Sequence, residues 1–76
     1  MTHSPLALEI FFAQYMPAMK RVIEDYWVNN REELVLFLND CICSGIMDGW
    51  MTSYFQDMLT RVKTTPHKYT DPWKIL

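Results

Sequence analysis

Pro17, the adjacent Asn29 and Asn30, and Gly45 cut the chain up to Gly45 into pieces of about four helical turns or fewer. Within each piece apolar residues recur three and four positions apart, the period of a helix, and no alternating strand pattern interrupts them. Met1 to His3 are expected to fray. Ser4 followed by Pro5 predicts a helix start, with a side-chain acceptor at the N-cap and then a residue whose φ is already fixed. Leu6, Leu8, Ile10, Phe11, Phe12, Tyr15 and Met16 follow, broken mainly by Glu9 and Gln14. A helix apolar almost all round is expected to be buried on more than one side. Pro17 lacks an amide donor and disfavours the α conformation at Met16, so either a long helix kinks there or a second helix begins.

Beyond Pro17 the pattern becomes amphipathic. Met19, Val22, Ile23 and Tyr26 share one side and Lys20, Arg21, Glu24 and Asp25 the other, with Trp27 and Val28 at the edge. Asn30 and Glu33 have the spacing of a capping box, in which each side chain reaches the other's backbone amide. A third helix is predicted over residues 31–44, with Gly45 as its stop. Its inner stripe is Leu34, Phe37, Leu38, Cys41 and Ile42, and Leu36 lies away from it beside polar neighbours. The last helix starts near Asp48 or Thr52 and buries Met51, Phe55, Met58, Leu59 and Val62. Short connections between such segments predict an all-α fold, a small bundle of three to four helices over residues 1–63. Residues 64–76, which hold two Pro and no helical period, are predicted to form an extended C-terminal tail.

Charge and size narrow the function. A formal net charge of -2 and seven basic residues against nine acidic ones give little attraction for phosphates, which disfavours nucleic acid as a partner. Cys41 and Cys43, two apart on a helix, point about 200° from each other and cannot pair; reduced thiols suggest a cytoplasmic protein. No basic segment precedes a clean apolar stretch, so no secretory leader is expected. The most apolar run, residues 5–19, contains Glu9 and Gln14 and falls short of a membrane span.

Chemistry-bearing motifs are sparse. Zinc needs converging ligands, whereas the two cysteines diverge and His3 and His67 lie near opposite chain ends. Ser44, Ser53 and the cysteines have no histidine nearby in sequence, and there is no glycine-rich phosphate loop. The expectation is therefore no enzyme, no metal and no cofactor. The segments on either side of Gly45 have the look of a loose helix-turn-helix, with Ser53, Tyr54, Gln56, Asp57, Thr60 and Arg61 on the reading helix; a DNA-binding regulator is thus an alternative.

What remains is a surplus of bulky apolar side chains. Half of the residues are hydrophobic, with six Met and three Trp, more than one small core is expected to hide. Trp, Tyr and Met are enriched where proteins touch one another. Trp27, Leu36, Trp50, Tyr54, Tyr69 and Trp73 are accordingly expected to contact a partner protein, and Leu8, Phe11, Phe12 and Tyr15 to form a homodimer seam. Ile75 and Leu76 make the tail sticky, so it packs across the bundle or in a groove of another chain.

From Asn30 onward the chain resembles phage anti-sigma factors of the AsiA type, in Asn30 and Arg31, then Phe37, Leu38 and Asn39, and later Phe55 without a gap. The first helix and the tail from Tyr69 have no counterpart in that resemblance. It implies a dimeric inhibitor that binds a sigma-factor segment. The residues themselves favour a small protein-binding inhibitor or adaptor, of the kind mobile elements encode, acting by occlusion. A structural subunit of a larger assembly is a further alternative.

Overall fold

A computed structural model describes residues 5–45 and 47–73. Four helices follow one another, α1 (Pro5–Tyr15), α2 (Pro17–Asn29), α3 (Arg31–Cys43) and α4 (Gly49–Thr64), and there is no strand among the described residues. The chain is thus the small all-α bundle that its apolar periods predict. The expected fraying of residues 1–3, the Ser4 cap, and Ile75 and Leu76 lie outside the described residues.

Each break has a local cause. Met16 is extended, at φ -143° and ψ 63°, and Pro17 opens α2, so the proline separates two helices instead of kinking one. Asn30 does two jobs. Its amide donates to the Tyr26 carbonyl at 2.8 Å, ending α2, and its Oδ1 accepts from the Glu33 amide at 3.2 Å, beginning α3. The capping box is therefore half made, because the amide that Glu33 would reach is already spent on α2. Gly45, at φ 71°, sits in the left-handed region just past α3, where a side chain would be strained. Thr52 lies inside α4, which begins one residue after Asp48.

The core gathers one face from every helix. Leu8, Phe11 and Phe12 of α1, Ile23 and Trp27 of α2, Leu34 and Leu38 of α3, and Phe55, Met58 and Val62 of α4 are buried together. Rings connect α1 to α4: Phe12 meets Phe55 edge to face at 5.4 Å, and Phe11 stacks on Tyr54 at 4.3 Å. Only one side of α1 is covered, and Leu6 and Ile10 face outward. Its apolar girth thus exceeds what this bundle buries.

The tail turns back over the bundle. Trp73 is 7% exposed, with its ring 5.9 Å from Phe12 and its Nε1 donating to Glu24 Oε2 at 3.0 Å. Trp27 is 1% exposed and its Nε1 donates to the Tyr69 carbonyl at 2.9 Å. Arg31 joins this closure. Its Nε donates to the Trp27 carbonyl at 3.1 Å, Nη1 to the Thr65 carbonyl and Nη2 to the Tyr69 carbonyl at 2.6 Å. Its guanidinium also lies over the Trp27 ring, 4.1 Å from the centroid. One side chain thereby ties the ends of α2 and α4 to the tail.

Glu24 receives both Lys20, at 2.7 Å, and Trp73. Burial opposes its ionisation, but the hydrogen bonds from Lys20 and Trp73 and the charges of Lys20 and Arg21 together hold the carboxyl below its ordinary 4.5. A carboxyl depressed in the folded state stabilises the fold above the unfolded value and loses that contribution as pH falls through the folded one. Glu24→Gln is therefore expected to be less stable than the parent chain near neutral pH, with the gap closing below about pH 4.5. Urea midpoints measured from about pH 6 down to pH 3 test this; a gap independent of pH contradicts the assignment.

Candidate functional site

An apolar groove of about 330 Å³ opens between α2, α3 and the connection into α4. Met16 and Met19 line it from the start of α2, and Phe37, Cys41 and Ser44 from the C-terminal half of α3 and its cap. Met47 closes it from the connection, and the fully buried Phe55 of α4 forms the floor. The groove exists because the α3 stripe is wider than α4 can cover: Leu34 and Leu38 are buried, whereas Phe37 and Cys41, on the same stripe, stay partly open. Phe37 is held from the far side by Tyr26, edge to face at 6.4 Å.

Three thioethers in one groove give it an adaptable surface, since an unbranched Met side chain re-packs around irregular shapes at little cost. The Cys41 thiol is pushed above its ordinary value by burial and, secondarily, by the Asp40 charge, so it is held protonated and behaves as a small apolar group. Among the described residues Asp40 is the one charged residue lining the groove, and it is exposed. Cys43 points outward and forms no disulfide.

A second apolar surface lies across α1 and α4. Tyr15 is 65% exposed and Trp50 52%, with their rings 6.1 Å apart, and both contact Phe11. Trp50 and Tyr54, four residues apart on α4, share this face as their spacing predicts.

The expected contact residues thus divide. Trp50 and Leu36 are exposed and Tyr54 is half-buried. Trp27 and Trp73, expected to face a partner, are instead buried where the tail folds back on α1 and α2. Tyr69 is half-buried, and it is its carbonyl, not its ring, that binds Trp27 and Arg31. Of the expected dimer seam, Leu8, Phe11 and Phe12 are packed in the chain's own core and only Tyr15 remains outside. The physical reason is that α4 and the tail supply enough aromatic surface to cover one side of α1 without a second copy.

Sequence reasoning passed over the groove's methionines as a group and Arg31 as a structural centre. Met16, Met19 and Met47 come from separate segments, and no periodicity unites them. Arg31 follows Trp27 by four residues, a spacing that could have suggested the stacked pair. Among the described residues, no three His, Cys, Asp or Glu side chains converge as a metal site requires, and no helix is long and apolar enough to cross a membrane. Comparison with protein families, curated proteins and solved structures finds no match to this chain. The resemblance to phage anti-sigma factors therefore stands on the residues from Asn30 to Phe55 alone.

Proposed function

We propose that this chain is a small non-enzymatic regulator, an inhibitor or adaptor that acts by binding another protein and occluding part of it. The observation that carries this reading is the Met-lined groove. It is apolar, open and floored by a buried aromatic ring, the form of site that receives apolar anchor residues of a partner. The exposed pair Tyr15 and Trp50 adds a separate apolar face. That face, with Leu6 and Ile10, is where a homodimer seam on α1 has exposed apolar surface, because Leu8, Phe11 and Phe12 are spent on the core.

Met47 lies outside the helices, so a substitution there tests the groove without breaking a helix. Met47→Lys places a charge in an apolar site and is expected to lower capture of the target by tenfold or more, roughly the cost of desolvating an unpaired charge at a contact. The measurement is quantitative affinity capture from the native host, parent chain against variant, with unfolding curves run in parallel. A variant that stays folded and captures the same proteins equally well overturns the groove as the binding site.

A further inference from the structure

We propose that the occupant of this groove is an amphipathic helical segment of the target that sets a Lys or Arg beside its apolar anchors. This rests on the protein-binding reading above and adds the chemistry of the partner to it. The charge around the groove carries the inference. Asp40 is the charged lining residue, and among the described residues its carboxylate makes no hydrogen bond or ion pair. Neither of the cations that follow Met19, Lys20 and Arg21, lines the groove beside this acid. Lys20 is bonded to Glu24 at 2.7 Å with its ammonium 5.8 Å from the Trp73 ring, and the charge of Arg21 acts on the same Glu24 carboxylate. Among the described lining residues of this otherwise apolar groove, the charged group is therefore a single carboxylate, Asp40, open to a partner.

Charge complementarity at such a site favours a basic flanking residue and rejects an acidic one. The fold favours a helical occupant over other peptide forms. A strand-adding peptide needs a free sheet edge, and there is no strand among the described residues. A proline-rich helix docks between exposed aromatic ridges, whereas here Phe55 is a buried floor and three methionines line the groove. Flexible methionines facing an amphipathic helix, with anchors at helical spacing, match the helix-in-groove mode.

Two synthetic peptides with the same helical Leu spacing, one with Lys and one with Glu at the flanking positions, supply the test. Binding is read from the methyl resonances of the methionine-labelled protein. The Leu/Lys peptide is expected to shift the Met16, Met19 and Met47 methyls and to bind at least about tenfold more tightly than the Leu/Glu peptide. Asp40→Lys is expected to remove or invert that preference. Glu32→Lys, the same charge change at the other end of α3, is expected to preserve it, which separates local recognition from general attraction to an acidic protein. Equal affinity of the two peptides, with the three methyls shifting, overturns the basic-segment proposal and leaves the groove reading standing. If neither peptide moves those methyls, both readings fall.

Discussion

Arg31→Ala is expected to lower the stability of the fold by about 3 kcal/mol, since it removes charge-assisted hydrogen bonds to three carbonyls at once. A chain of this length is stable by roughly 4 to 11 kcal/mol in total, so the change takes a large share. Arg31 is buried and forms no ion pair with a carboxylate among the described residues. Burial lowers its pKa from the ordinary value, yet a guanidinium stays charged across the working range. The charge is compensated by the carbonyl ends of α2 and α4, which carry the negative poles of their helices. Lys offers no planar fork to serve three carbonyls in different directions, so Arg31→Lys is expected to recover less than half of the loss. Urea unfolding of the three proteins decides it. If the Ala variant unfolds within about 0.5 kcal/mol of the parent chain, Arg31 does not hold the closure together.

Trp27→Ala is expected to cost about 3–5 kcal/mol, as for other fully buried large aromatics. The loss has two parts, the cavity in the core and the release of the tail at Tyr69, whose carbonyl accepts from Trp27 Nε1. Trp27 and Arg31 share that carbonyl and stack on each other, so their substitutions are expected to be non-additive. Because the double Ala variant approaches complete unfolding, the milder Trp27→Phe is the partner for a double-mutant cycle with Arg31→Lys. A coupling of about 0.5 kcal/mol or more is expected, and strict additivity would contradict a shared closure.

The helices were legible because their breaks are chemical and local. Pro17 forbids the α conformation at its neighbour, Asn30 offers a cap, and Gly45 accepts a left-handed φ; none of these depends on distant contacts. The inner stripes of α3 and α4 followed for the same reason, as period alone selects Leu34, Leu38, Phe55, Met58 and Val62. Burial of the tryptophans was not legible. Trp27 meets Tyr69 across 42 positions and Trp73 meets Glu24 across 49, and the tail that makes these contacts has no periodic signal. Asn30 and Glu33 matched a capping box, but only the structure shows that the Asn30 amide is already engaged. The groove was hidden for a related reason: a surplus of methionine is visible in composition, but not which three of them meet.

The shared residue at Asn30 has a mechanical consequence. Because one residue ends α2 and begins α3, the two helices meet at Asn30 as an apex with no residue to spare between them. Met19 lies eleven residues before that apex and Cys41 eleven residues after it, each at the end of an arm of about 16 Å. A rotation of about 10° at the apex therefore moves the arm ends by about 3 Å, the difference between a slot that admits a side chain and one that does not. The width between the walls is thus set at the far end of the molecule, where Arg31 and the returning tail clamp the apex. Asn30 acts as the fulcrum of a pair of tongs.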